Sequence, residues 1–139
     1  MDQQTVIIDS SYLFSLAVRV DSNYKRAVKI SKSLTLSLML IIPAEIFSET
    51  INALWKKIDR WQAIKTAQDI LGANYYLFSE TTVEIRQRAL SKFESQKNSV
   101  SFTDCLVMAF ADQFKTKKIL GFDEAFSQNG YTLPWQQAQ

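Results

Sequence analysis

The sequence predicts an α/β protein with a three-layer α/β/α architecture and a mostly parallel central sheet of four to five strands. Short apolar runs alternate with longer segments of helical spacing, which is typical of strand–helix–strand units. The first apolar run, "TVIID" at residues 5–9, is continuous and does not alternate with polar residues, which indicates a strand buried on both faces. With 139 residues and no linker or internal repeat, the chain is expected to form one domain over residues 1–139.

The segment after the first strand predicts two helices and then a second strand. Apolar residues recur at helical spacing from Ser11, with Ser10 as the expected N-cap. A second helix is predicted over residues 23–37, and "LMLIIP" at residues 38–43 then indicates another buried strand. Pro43 suits the first turn of the helix that follows, because a proline there loses no hydrogen bond.

The middle of the chain predicts a pair of helices and a third strand. The helix after Pro43 extends to about residue 58, and another covers residues 60–71 with Gly72 as its expected C-terminal cap. "NYYLF" at residues 74–78 then indicates a short third strand.

The last part of the chain repeats the alternation of helices and strands. Helices are predicted within residues 79–95 and over residues 103–114, with a polar loop between them. "KKILGF" at residues 117–122 predicts a fourth strand, and "YTLPW" at residues 131–135 is a candidate fifth strand.

The composition excludes several classes of chemistry. Because the chain contains no histidine, Ser-His-Asp catalysis, Cys-His catalysis and His-ligated zinc sites are ruled out. The single cysteine, Cys105, excludes an internal disulfide and suits a reducing compartment. The longest apolar stretch, residues 34–44, is far shorter than the roughly 20 residues of a membrane span, and no signal peptide is evident. We therefore expect a cytoplasmic protein without a membrane partner.

Four acidic residues from separate segments are candidates for one site. Asp9 is the last residue of the first predicted strand, and Asp123 directly follows the fourth. Asp104 lies near the start of a helix, and Glu49 lies on the helix after the second strand. Ligands of parallel sheets gather at the carboxyl ends of the strands, so these four carboxylates could converge there.

A cluster of carboxylates without a histidine or lysine among them favours a divalent cation. Such groups repel one another, and burying them uncompensated would cost several kcal/mol. Ligation by oxygen alone suits Mg²⁺ or Mn²⁺, and ions of this kind polarise a phosphodiester and activate water. Phosphodiester hydrolysis is the natural reaction class.

The segments that carry these acids also resemble a known family. "VIIDSSYLFSL", "EIFSETINALWK", "SFTDCLVMAFA" and "ILGFDEAF" resemble, in order and spacing, the four acidic motifs of the PIN-domain nucleases, and are most similar to those of the VapC-type toxins. The resemblance extends from residue 5 to about residue 131 and implies one PIN-like domain. It implies that Asp9, Glu49, Asp104 and Asp123 are the catalytic and metal-binding residues.

The resemblance also implies supporting residues, and it includes one departure from the family pattern. Ser11 matches a small hydroxyl residue that supports the first aspartate, and Ser101 matches a serine or threonine that precedes the third acid. Asn52 fits the Glu-x-x-Asn pattern of the second motif. Many members place threonine or serine two residues before the last aspartate, where this chain has Gly121.

Two glutamates compete for the role of the second acid. Glu45 lies one helical turn before Glu49 and on the same face. Asn52 and the residues after it follow Glu49 in the manner of the family, which favours Glu49 but leaves Glu45 open.

The function implied by the resemblance is metal-dependent endonucleolytic cleavage of RNA with Mg²⁺ or Mn²⁺. It also implies a role as the toxin of a toxin–antitoxin pair, with an antitoxin protein as partner, and a homodimer formed through apolar helices around residues 45–58. The alternative is a catalytically weak PIN-like module that binds RNA or another protein.

Overall fold

The computed structural model describes residues 4–133, which form a four-stranded parallel sheet and seven helices. The strands are β1 (Gln4–Ile8), β2 (Leu38–Pro43), β3 (Tyr76–Ser79) and β4 (Ile119–Leu120). The helices are α1 (Ser10–Ala17), α2 (Tyr24–Ser33), α3 (Ala44–Lys57), α4 (Arg60–Gly72), α5 (Val83–Glu94), α6 (Phe102–Gln113) and α7 (Glu124–Gln128). Within the described residues, no helix is long and apolar enough to cross a membrane.

The sheet has the strand order β3-β2-β1-β4, and every strand pair in it is parallel. Val6 of β1 is level with Leu40 of β2, and Ile8 is level with Leu120 of β4. The carboxyl ends of all the strands therefore lie at one edge of the sheet, which we call the carboxyl edge. The α/β class and the parallel sheet predicted from the sequence are confirmed.

The central strand is buried on both faces, as its continuous apolar run predicted. Val6, Ile7 and Ile8 are fully buried although they point alternately to opposite faces. Helices α1 to α4 pack on one another, whereas α5, α6 and α7 form a separate packed group. Two helical layers on a central sheet follow from this packing, and α6 is buried almost throughout its length.

Several element boundaries differ from those predicted. Helix α2 ends at Ser33 because the next residues turn, with the Leu38 N–H donating to the Thr35 carbonyl. Gly72 lies inside α4 and does not close it in a left-handed conformation, since Ala73 is the C-cap. Asp9, and not Ser10, is the N-cap of α1.

The carboxyl-terminal strands are shorter than predicted. Strand β4 contains only residues 119–120 and ends before Gly121, so three residues separate it from the start of α7. Of the candidate fifth strand, Thr132 forms an isolated parallel bridge with Lys118, and residues 134–135 lie outside the described residues. Four strands are therefore described.

Candidate active site

Asp9 lies where β1 ends and α1 begins. Its backbone N–H donates to the Leu120 carbonyl at 2.9 Å, which extends the pairing of β1 with β4 by one residue. Its side chain is only 4% exposed and caps α1, because the Asp9 Oδ2 accepts the Ser11 N–H at 3.1 Å. The change from strand to helix within one residue fixes this carboxylate at the carboxyl edge.

Ser11 connects Asp9 to the segment after β4. Its hydroxyl donates to Asp9 Oδ2 at 2.7 Å and accepts the Phe122 N–H at 2.9 Å. Because both hydrogen bonds involve the same hydroxyl, Ser11 sets the orientation of Asp9 relative to the β4 end of the edge. The structure thus places the Ser11 hydroxyl against the Asp9 carboxylate. Ser11 is the residue that the sequence analysis expected to support Asp9.

Burial makes Asp9 an unusually weak acid for an aspartate. The pKa of Asp9 is raised from 3.8 to about 6, mainly because burial disfavours the ionised form. The hydrogen bonds from Ser11 lower this pKa, while the charges of Asp104 and Glu49 raise it further. Asp9 is therefore in electrostatic contact with two of the other predicted acids.

Asp104 lies in the first turn of α6 and forms a capping box with Ser101. The Ser101 N–H donates to Asp104 Oδ2 at 3.1 Å, and the Asp104 N–H donates to the Ser101 hydroxyl at 3.0 Å. Burial raises the pKa of Asp104, and the charges of Asp123 and Glu49 raise it as well. Ser101 acts here as the N-cap that orients the start of α6.

Glu49 and Glu45 lie on the same face of α3 but have different partners. The Ser10 hydroxyl donates to Glu49 Oε2 at 2.7 Å, and the charge of Glu49 acts on both Asp9 and Asp104. Glu45 instead pairs with Arg86, at 3.5 Å from Oε1 to Nη2. Of the two glutamates, Glu49 is the one whose charge acts on the buried aspartates.

Asn52 and Asp123 are exposed at the two sides of this edge. Asn52 lines an open groove of about 660 Å³ along α3, together with both glutamates. Asp123 is the N-cap of α7, with Oδ1 accepting the Ala125 N–H at 2.8 Å, and its charge raises the pKa of Asp104. The carboxylates of all four predicted acids thus belong to one electrostatically connected group.

Ser10 is a polar contact of this group that the sequence interpretation missed. We expected Ser10 to cap α1, yet its hydroxyl bonds to Glu49 across the α1–α3 contact. The signal available in the sequence was the pair of serines directly after Asp9. Capping the helix requires only one of the two hydroxyls, so the pair indicated a second polar contact.

The carboxylates fit a divalent cation in charge and in donor type. None of the four pairs with a lysine or arginine within residues 4–133, so their mutual repulsion has no protein counter-charge there. All their donor atoms are oxygens, the ligands that Mg²⁺ and Mn²⁺ prefer. As the side chains stand, no three Asp, Glu or Cys residues of the described chain are grouped closely enough to hold a metal ion.

Gly121 allows Asp9 to pack against the segment that follows β4. A Cβ atom at Gly121 would lie 2.7 Å from Asp9 Cβ and 3.1 Å from Asp9 Oδ2. Contacts this short force the backbone or the carboxylate to move, so a side chain at position 121 does not fit without such a shift.

We predict that Gly121→Ala destabilises the protein by about 1–3 kcal/mol, the usual cost of overpacking a close contact. Gly72→Ala is the matched control, because a Cβ there meets nothing within 4 Å and the residue is helical. That control is expected to be neutral or stabilising by up to about 1 kcal/mol. Chemical denaturation of both variants tests this, and equal stability of the two would contradict the role given to Gly121.

The fold and the acidic group describe a parallel α/β protein with an acidic site at the carboxyl edge of its sheet. The family model of the PIN domain matches residues 6–130. The chain therefore belongs to the PIN domain family, a family of nucleases.

A solved structure supports the fold independently. The chain is similar to Mycobacterium tuberculosis VapC20, described as a sarcin-ricin loop cleaving toxin, with a TM-score of 0.83 and 17% sequence identity. The similarity covers 91% of this chain and 96% of VapC20. No curated protein sequence matches the chain.

Proposed function

We propose that this protein is an endoribonuclease that depends on Mg²⁺ or Mn²⁺ and hydrolyses RNA phosphodiester bonds. In this proposal Asp9, Glu49, Asp104 and Asp123 are the catalytic and metal-binding residues. The observation that carries it is the connected group of four carboxylates at the carboxyl edge, two of them buried, with no basic partner among the described residues.

The comparisons support the choice of RNA as substrate. The chain belongs to a family of nucleases, and its fold is similar to that of a toxin described as cleaving the sarcin-ricin loop. The absence of histidine from the chain also agrees with this chemistry, because it rules out the common side-chain base of metal-free ribonuclease mechanisms.

Each proposed residue has a role that its contacts support. A bound divalent cation supplies charge stabilisation at the phosphodiester and activation of water. Asp9 and Asp104 would be two of its ligands, since both are buried and are oriented by hydrogen bonds from Ser11 and Ser101. Glu49, oriented by the Ser10 hydroxyl, and the exposed Asp123 would complete the site from α3 and from the start of α7.

The direct test is incubation of the purified protein with labelled RNAs in Mg²⁺ or Mn²⁺, with and without EDTA. We expect endonucleolytic products that disappear on chelation and return when the metal is restored. Cleavage that continues at the same rate in EDTA would contradict metal dependence. A folded protein that neither cleaves RNA nor binds metal would favour the alternative of a binding module.

The two glutamates of α3 give a matched pair of variants. Glu49→Gln is expected to lower kcat/KM by more than tenfold, because it removes a charge that acts on Asp9 and Asp104. Glu45→Gln should change it less than threefold, since Glu45 pairs with the exposed Arg86 outside this group and such pairs contribute little. Steady-state cleavage assays compare the two, and a reversed order would assign the second acid to Glu45.

We further propose that the protein is a homodimeric toxin with an antitoxin protein as its partner. Large apolar side chains are exposed on α3 and α4, among them Trp55 and Trp61, the latter 67% exposed. Such a surface is typical of an interface. An RNA substrate and the free thiol of Cys105 are consistent with the cytoplasm as the compartment.

Sedimentation velocity tests the dimer, which we expect Trp61→Glu to dissociate because it places a charge in the apolar interface. Lys65→Gln, an exposed substitution on the same helix, is the control and should leave the dimer intact. A wild-type protein that sediments as a monomer would contradict the proposed assembly.

A further inference from the structure

We propose that a cavity at the amino edge of the sheet binds an uncharged, mainly aliphatic small molecule with a hydrogen-bond acceptor, to which the Tyr12 hydroxyl donates. The amino edge is the edge at which the strands begin, opposite the acidic site. None of the four acids lines this cavity, so its ligand would be separate from the substrate of the acidic site. The size of the cavity, the chemistry of its walls and a buried hydroxyl without a partner point to this ligand.

The cavity lies between two helices and the first residues of two strands. Leu16 borders it from the last turn of α1, and Leu34 borders it from the end of α2. Leu40 of β2 and Tyr76 of β3, which are level with each other in the sheet, line the other side. The cavity volume is about 710 Å³. Sites for small molecules typically have roughly 300–1,000 Å³, so this cavity is large enough to be one.

The walls of the cavity are uncharged. Among the described residues, no side chain with a carboxylate, ammonium or guanidinium group lines it. Most of the lining side chains are apolar, with leucines from both helices and both strands and Met39 from β2. A charged ligand would lose its hydration here without gaining a counter-charge, which is strongly unfavourable. The walls therefore select an uncharged molecule with an apolar body.

Tyr12 supplies a polar group that lacks a partner. Its side chain lines the cavity from α1 and is fully buried, yet its hydroxyl forms no hydrogen bond in the described chain. Two other hydroxyls that line the cavity are satisfied. Ser31 donates to the Val28 carbonyl at 2.7 Å, and Thr35 shares a hydrogen bond of 2.6 Å with Ser37. Because a buried hydroxyl without a partner is costly, a ligand that supplies the partner gains affinity.

The Tyr12 hydroxyl is suited to donate a hydrogen bond. Burial raises the pKa of Tyr12 above its ordinary value of 10.0, and the phenols of Tyr76 and Tyr75 raise it further. The hydroxyl therefore stays protonated at neutral pH, and the matching ligand atom is an acceptor such as a carbonyl oxygen. Tyr75 and Tyr76 line the same cavity, which places the phenol end of Tyr12 on the cavity side.

An aliphatic ketone combines the features that these walls select. Its chain would pack against flexible apolar side chains such as Leu16, Leu34 and Met39, which adapt to an aliphatic body. Its single oxygen would accept the hydrogen bond from Tyr12. We therefore take heptyl methyl ketone as the probe for the cavity.

The first test titrates the full-length protein with heptyl methyl ketone and follows binding by saturation-transfer NMR. We expect saturable binding of the ketone. Octanoate, a charged molecule of similar length, should bind about tenfold or more weakly, because no cationic side chain lines the cavity. An absence of saturable ketone binding, or equal affinity for octanoate, would overturn the inference.

The second test removes only the hydroxyl that lacks a partner. Tyr12→Phe is expected to weaken ketone binding about fivefold, the size of one hydrogen bond between uncharged groups. The same substitution should leave the ligand-free protein at least as stable in chemical denaturation, so a folding defect would not explain the weaker binding. Tyr131→Phe is the matched control, because the Tyr131 hydroxyl has a partner in Asp112 and does not line the cavity. It should leave the ketone affinity unchanged.

The third test fills the cavity. Leu34→Trp is expected to abolish ketone binding, whereas Leu71→Trp, at an exposed position of α4 outside the cavity, should retain it. Ketone affinity that is unchanged in both Tyr12→Phe and Leu34→Trp would show that the ketone binds elsewhere and would overturn the inference. A changed sedimentation coefficient of ligand-free Leu34→Trp would instead identify the cavity as a contact between copies of the chain, and the small-molecule assignment would be wrong.

Discussion

Asp9→Asn is expected to abolish RNA cleavage, with a loss in kcat/KM larger than the roughly 10–100-fold that changes in outer-shell metal partners cost. Asp9 is the most buried of the four acids, and its carboxylate is aligned by both hydrogen bonds from Ser11. Asparagine can accept the same hydrogen bonds, so the substitution removes the negative charge and preserves the local geometry. Cleavage assays at saturating Mg²⁺ or Mn²⁺ measure the effect.

Asp112→Asn is the matched control for this substitution. Asp112 is also partly buried and hydrogen-bonded, accepting the Tyr131 hydroxyl at 2.7 Å and pairing with Lys92, but it lies at the opposite end of α6 from Asp104. We expect it to alter stability while leaving kcat/KM within about threefold of wild type, since it is remote from the edge. Equal activity of the two variants would exclude a special role for Asp9.

In the absence of metal, the protein should lose stability as the pH rises from about 4 to about 7. Asp9 has a pKa of about 6 in the folded state against 3.8 as its ordinary value, so between these values the folded state binds more protons than the unfolded state. The contribution of the protonated Asp9 carboxyl to stability is fully present below pH 3.8 and is lost as the pH rises through about 6. For this rise in the pKa of Asp9, the free energy of unfolding should fall by ~3 kcal/mol over the pH range. The raised pKa of Asp104 acts in the same direction. Chemical denaturation in EDTA at several pH values measures it.

The comparison with Asp9→Asn isolates the contribution of this carboxyl from that of all other titrating groups. The variant lacks the ionisation at position 9, so its stability should fall less over the same pH range, and above about pH 7 it should be more stable than wild type. An identical pH dependence in the two proteins would show that the burial of Asp9 does not cost stability.

The parts of the fold that the sequence could predict are those with strong local signals. The continuous apolar run before Asp9 predicted a strand buried on both faces, because a strand exposed on one face would alternate. Its burial and its parallel pairing with two neighbours agree with that reading. The position of Asp9 at the carboxyl edge followed from this one strand.

Features set by contacts between distant segments could not be read from local patterns. Strand β4 is only two residues long because pairing with Ile7 and Ile8 defines it, not its own apolar run. Ser10 bonds to Glu49, and Arg26 lies over Phe122, through tertiary packing that links residues far apart in the chain. Glu45, which the sequence left open as the second acid, likewise pairs with a residue distant in the chain, Arg86 on α5.

Calorimetric titration of the metal-free protein with Mn²⁺ near neutral pH tests most directly whether the four carboxylates form one cation site. We predict saturable binding to wild type that weakens at least tenfold in both Asp9→Asn and Asp104→Asn, because each removes a ligand. Binding should be retained in the Asp112→Asn control. Mn²⁺ affinity that is unchanged in both edge variants would contradict the assignment of Asp9 and Asp104 to a common metal site.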